Sequence, residues 1–181
     1  PATGLYAKSS GGGHFGVGMK RAGIMMIVVK GRALVPTVLH IQPNRVSFLP
    51  AGNIWGMEVP DTVQNTRKLV HDSEASILSI GPSGENLVRF AGVMSGTYSI
   101  AARCGLGAVM GSKHLKAIAV SGNIPLFVAD EKRYQEIVKS ARQNLLNDPG
   151  SPKYYITGTA GSILPINALK VIPALNFRES S

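Results

Sequence analysis

Residues 99–120 constrain the fold more tightly than any other part of the chain. A small-residue turn runs through Gly105 and Gly107 into a short helix. A basic cluster follows (Lys113, His114, Lys116), then an apolar strand at 117–120. Glycines at the mouth of a helix let a ligand reach bare backbone. The first N–H groups of a helix have no partner inside it, and the helix dipole favours negative charge there. The same glycines suit a tight turn in which glycine supplies positive φ and close packing. From the residues alone, an anion site and a packed turn both remain open.

The stretch has an echo earlier in the chain. At an offset of 91 residues, Gly16 meets Gly107, Met19 meets Met110, Val29 meets Val120 and Gly31 meets Gly122. Both blocks read as glycine-rich loop, short helix, apolar strand and glycine. A duplicated unit with pseudo-two-fold symmetry is therefore expected, with the two glycine loops facing one ligand that has two similar ends. The rest of the chain supplies short elements. Phe15, Met19 and Ala22 share one helical face, with Gly23 as the stop. Residues 24–29 are apolar and rich in β-branched side chains, which predicts a buried strand. Residues 37–42 and 45–49 flank Pro43-Asn44 as a hairpin. Residues 60–71 form a helix opened by Pro60 and Asp61. Strands are expected at 76–80 and 88–94, with a loop at 81–86 between them. Trp55 is expected to be an apolar anchor.

The clearest helix spans 130–147. Asp130 can cap it, and Tyr134, Ile137, Val138, Ala141 and Leu145 make one apolar stripe suited to packing. Residues 148–152 stop this helix and suggest a boundary. The expected organisation is a domain at 1–150 followed by a connector at 151–181, with a glycine-rich turn at 157–161. The chain opens on Pro1 and reads as a piece of something longer.

With 44% hydrophobic and 16% charged residues, a globular core is expected rather than disorder. The formal charge of +9 favours anionic partners. Aromatic residues are only 6% and do not alternate with basic ones, so no nucleic-acid partner is expected. Cys104 is the sole cysteine, so neither an intrachain disulfide nor a multi-cysteine metal site can form within these residues. This suits a cytoplasmic protein. The longest apolar run, 24–29, is too short to cross a membrane, and no membrane partner is expected.

Several familiar chemistries are excluded or weakened. Residues 107–113 fall one residue short of a Walker loop and put Ser112 before Lys113. Neither glycine loop follows a strand as G-x-G-x-x-G. The acidic residues Glu58, Asp61, Asp72, Glu74 and Glu85 are unpaired in pattern and read as caps and surface. The four histidines are scattered, with His14 alone beside a glycine loop. Cys104 reads as a small buried filler, and Arg103 either clamps a phosphate or lies on the surface. No residue set suggests self-contained acid–base or nucleophilic catalysis.

Five motifs, in order, resemble the N-terminal domain of the aldehyde ferredoxin oxidoreductase family: Ser10-Gly-Gly-Gly-His-Phe-Gly, Lys20-Arg-Ala-Gly, Ile54-Trp-Gly, Gly81-Pro-Ser-Gly-Glu-Asn-Leu-Val-Arg-Phe-Ala and Gly105-Leu-Gly-Ala-Val-Met-Gly-Ser-Lys-His-Leu-Lys-Ala-Ile-Ala-Val. The resemblance implies an α+β fold, a duplicated β-rich unit with short helices and pseudo-two-fold symmetry, incomplete at its N-terminus. It implies an oxidoreductase taking aldehydes to carboxylic acids with a tungstopterin or molybdopterin cofactor. Electrons would pass through a 4Fe–4S cluster, held by other domains, to ferredoxin.

The implied cofactor-binding residues are Ser10, Gly11, Gly12, Gly13, Ser99, Ile100, Ala102 and Arg103. The backbone carbonyls of Ser10 and Ile100 would hold a magnesium ion that bridges the two pterin phosphates. The family commonly has arginine at the position of Ser99 and glycine at those of Ala102 and Cys104. No catalytic residue is implied within the chain, which is not expected to be active alone. A homo-oligomer is left open. The alternative reading is a non-catalytic relative that keeps the fold as a structural or interaction module.

Overall fold

The computed structural model describes residue 6 and residues 8–180. The chain divides into two compact units, 1–126 and 127–181.

The first unit is α+β, built on a six-stranded sheet. In chain order its elements are α1 (Phe15–Arg21), β1 (Thr37–Gln42), β2 (Arg45–Pro50), α2 (Val59–Leu69), β3 (Ser76–Ser79), α3 (Pro82–Glu85), β4 (Val93–Ser95), β5 (Ser99–Ala101), α4 (Leu106–Ser112) and β6 (Leu115–Val120). The strand order is β2-β1-β6-β3-β4-β5. Only β1 and β6 run parallel; the other pairings are antiparallel. Strand β6 is buried along its whole length, as a central strand with both faces covered should be.

Alternation along β1 and β6 divides the core between the two faces of the sheet. Val38, Ala117 and Ala119 pack with Val63 and Val70 from α2 and its end. Leu39, Ile41, Ile118 and Val120 pack with Phe15 of α1 and, at its edge, Met110 of α4. Helix α2 therefore covers one face, while α1 and α4 cover the other.

A register shift between Thr37 and Val38 leaves Lys116 as the extra residue of a β-bulge. Lys116 is 0% exposed and forms an ion pair with Glu85. Its Nζ also donates to the Met57 carbonyl at 2.8 Å. Both Glu85 oxygens accept the Gly56 N–H, at 3.0 and 2.8 Å. Glu85 is thus not a surface acid, and Lys116 does not belong to an exposed basic cluster. A buried charge needs this full set of partners.

Other local expectations are corrected. Residues 24–29 are not a strand. Ile24, Ile27 and Val29 face the core, but no described strand lies alongside to form a ladder, and Met25 is 84% exposed. The expected strand at 88–94 shortens to β4, because residues 88–92 turn and carry α4 instead. The loop at 81–86 contains the one-turn helix α3, begun by Pro82. Trp55 meets the His114 ring edge-on, with centroids 6.1 Å apart.

The second unit holds α5 (Glu131–Asn147), α6 (Ser151–Thr157), a 3₁₀ turn (Gly158–Ser162), α7 (Ile163–Ala168) and a small hairpin of β7 (Pro173–Ala174) and β8 (Glu179–Ser180). The Asp130 side chain caps α5 by accepting the Arg133 N–H at 2.9 Å. The apolar stripe of α5 is exposed, and no residue of this helix is buried, so the stripe does not serve a core within this unit. None of the described helices is long and apolar enough to cross a membrane.

Candidate functional site

Helices α1 and α4 lie 91 residues apart at both ends, the offset read from the sequence. The preceding segments meet along β5, the outer strand of the sheet, and run in opposite directions. The Cys104 thiol donates to the Lys8 carbonyl at 3.4 Å, and the Arg103 N–H donates to Ser9 Oγ at 3.2 Å. A Cβ on Gly11 would lie 3.1 Å from the Ala101 nitrogen. Gly12 faces Ser99, and Gly13 faces Ser95. The segments thus cross near Gly11 and Ala101, with Ser10 and Ile100 at the crossing. The strand half of the repeat does not recur, since β6 has no strand counterpart at 24–29.

The two loops differ in what they leave open. At α4 the helix mouth is filled by protein. The Gly107 N–H donates to the Ala91 carbonyl at 2.9 Å. A Cβ on Gly105 would overlap the Arg89 carbonyl oxygen, one on Gly107 that of Gly92, and one on Gly111 that of Gly84. These glycines permit close packing, and the anion reading of this helix mouth is corrected accordingly. In the first loop, Ser10, Gly11, Gly12 and Gly13 are exposed, and their backbone groups make no hydrogen bond among the described residues. Bare backbone is found here, in the loop that the sequence placed second in importance.

The remaining expected site residues lie along the facing segment. Ser99 is half-buried, while Ala102 and Arg103 are exposed. The Ile100 side chain is 46% exposed and packs over Gly92, where a Cβ would lie 2.7 Å from Ile100 Cδ1. Gly92 therefore makes room for this bulky residue. Cys104 is exposed rather than a buried filler, and its φ is +70°.

Beyond Gly13 a cleft of about 1090 Å³ opens between His14, Arg21, Arg67, Asp72, Ser95 and Ser121. His14 precedes α1, and its carbonyl accepts from the Gly18 N–H at 3.0 Å. Below the cleft, His40 is bonded through Nε2 to Ser121 Oγ at 3.0 Å. Burial lowers the His40 pKa; Asp72 opposes this and Arg45 adds to it. No cluster of three or more histidine, cysteine or acidic side chains suited to a metal occurs among the described residues.

Sequence reasoning missed Ser9 and Ser95. Ser9 ties the two segments together. Ser95 is 7% exposed, its Oγ has no hydrogen-bond partner among the described residues, and it packs on Gly13. Neither has a local signal, because a serine beside glycines resembles any turn residue.

A family model described as the aldehyde ferredoxin oxidoreductase N-terminal domain matches residues 1–122. The tungsten-containing aldehyde ferredoxin oxidoreductase of Pyrococcus furiosus is 41% identical over 182 aligned positions, covering 98% of this chain and 30% of that protein. Its namesake from Pyrococcus abyssi matches with the same identity and coverage. A Pyrococcus furiosus aliphatic sulfonate oxidoreductase, WOR-like subunit, is 33% identical over 137 positions, covering 69% of this chain and 22% of that protein. Among solved structures, the active-site complex BamBC of benzoyl coenzyme A reductase superposes with a TM-score of 0.70 at 31% identity, covering 76% of this chain and 21% of that one. The chain thus spans under a third of the length of these relatives, and it belongs to the aldehyde ferredoxin oxidoreductase family, as part of its N-terminal region.

Proposed function

We propose that this chain is the cofactor seat of a tungsten- or molybdenum-pterin aldehyde oxidoreductase. The observation that carries the reading is the bare backbone of residues 10–13, held against the segment 99–103. Such a surface fits a ligand with two phosphates. Unpartnered N–H groups can meet phosphate oxygens, and carbonyl oxygens suit a hard cation such as magnesium. In this reading the Ser10 and Ile100 carbonyls would hold a magnesium ion that offsets the phosphate charge. Gly11, Gly12 and Gly13 let the cofactor approach the main chain. Arg103 offers forked donors to a phosphate, and Ser99 and Ala102 provide neutral contacts.

When bound, the metal–pterin group supplies two-electron chemistry that converts an aldehyde and water to a carboxylic acid, two electrons and two protons. The residues of this chain bind and orient the group; none is assigned a catalytic role. Other parts of the protein would hold the 4Fe–4S cluster that passes electrons to ferredoxin. The test is the whole protein purified without oxygen. Tungsten or molybdenum near one per chain, with aldehyde-dependent reduction of a viologen dye, is expected. Protein that is folded yet free of both metals overturns the reading and makes the chain a non-catalytic relative.

A further inference from the structure

The seat repeats its backbone course but not its charge. The offset that carries α1 onto α4 places Lys8 opposite Ser99 and Gly12 opposite Arg103 in the repeat. Because the segments run in opposite directions, Lys8 and Arg103 reach the same end of the crossing. Their main chains are neighbours there, joined by the Cys104–Lys8 and Arg103–Ser9 hydrogen bonds. Both side chains are exposed, and neither forms an ion pair among the described residues. At the other end, Gly12 and Gly13 face Ser99 and Ser95, and the nearest cations, Arg21 and Arg67, line the cleft beyond rather than the crossing itself.

We propose that Lys8 is a binding residue of the seat and forms, with Arg103, a two-cation clamp for one of the cofactor's two phosphates. This rests on the cofactor reading above. A phosphate dianion draws both a point charge and a planar fork, and charge-assisted bonds to it are the strong kind. The two cross-segment hydrogen bonds hold the clamp's main chain in place, so less ordering is needed on binding. The opposite phosphate would face the neutral Ser99.

The test uses the whole protein in two arms. The cofactor-free protein is titrated with magnesium pyrophosphate and followed by phosphorus NMR. The loaded protein is dialysed against rising salt, and its retained tungsten or molybdenum is measured. Lys8→Gln is expected to weaken pyrophosphate binding about tenfold and to release the metal at lower salt. Lys8→Arg should stay within about threefold of wild type, and Lys20→Gln, an exposed control on α1, should match it. If wild type binds in either arm and Lys8→Gln binds equally well, the clamp is overturned while the cofactor reading stands. If wild type binds neither pyrophosphate nor metal, both are overturned.

Discussion

Helices α1 and α4 have the same length and the same place in a repeat, yet they are held in different ways. Around α4, Gly105, Gly107 and Gly111 lie against the carbonyls of Arg89, Gly92 and Gly84. The following strand then buries Lys116 against Glu85. Around α1, a methyl added at Gly16 would meet nothing within 4 Å, and Met25, the counterpart of Lys116, is 84% exposed. One half of the repeat has become packed structure, and the other has kept open backbone. Glycine serves different purposes in the two halves: close packing of protein at α4, and at Gly18 inside α1, but bare backbone before α1.

The largest expected break in this contrast is at the buried ion pair. Lys116→Ala leaves Glu85 buried without its cation and should cost about 3–5 kcal/mol in urea unfolding. Met25→Ala, at the equivalent exposed position, should stay within about 0.5 kcal/mol. Next come the glycines. Gly111→Ala forces a methyl into the Gly84 carbonyl and should cost about 3 kcal/mol. Gly16→Ala meets open space in a helix and should raise stability by about 0.5–1 kcal/mol. Equal effects at the two sites would dissolve the comparison.

A third pair sharpens it. Gly13 and Cys104 are equivalent in the repeat and share positive φ, +85° and +70°. Cys104 carries the strain that glycine avoids, but its thiol also donates to the Lys8 carbonyl, so Cys104→Gly should change stability by less than about 1 kcal/mol in thermal melts. Gly13→Ala should destabilise it, because its methyl would also press on Ser95 Oγ at 2.6 Å.

The smallest effect concerns pH. Burial holds the folded pKa of His40 below the ordinary 6.5. The unfolded chain then binds a proton first as pH falls, so the contribution of His40 is full above about 6.5 and declines below it. Melting temperatures at pH 7.5 and 5.5 should differ more in wild type than in His40→Gln.

Local chemistry made much of this legible. The hairpin β1–β2, helix α2, helix α5 with its Asp130 cap, and the matched pair α1 and α4 follow from periodicity, turn residues and caps. The segments that precede the two helices lie side by side, as their repetition suggested. The failures share one cause, which is dependence on residues distant in sequence. Residues 24–29 have the composition of a strand, but a strand also needs a partner beside it. Glu85 looks like any surface acid until β6 brings Lys116 to it. The α4 mouth looks like an anion site until residues 89–92 fill it. A pattern of nearby residues cannot reveal which remote carbonyl will occupy a helix end.

The ties between the crossing segments also set an order of events during synthesis. They join residues 94 and 96 positions apart in the chain. Loops of that span close late, after local helices and hairpins have formed. A ribosome that has made only the first glycine loop has made half of the crossing. The crossing forms once Arg103 and Cys104 have emerged and folded back, so under the proposed function a cofactor that recognises both segments would be loaded only after that moment.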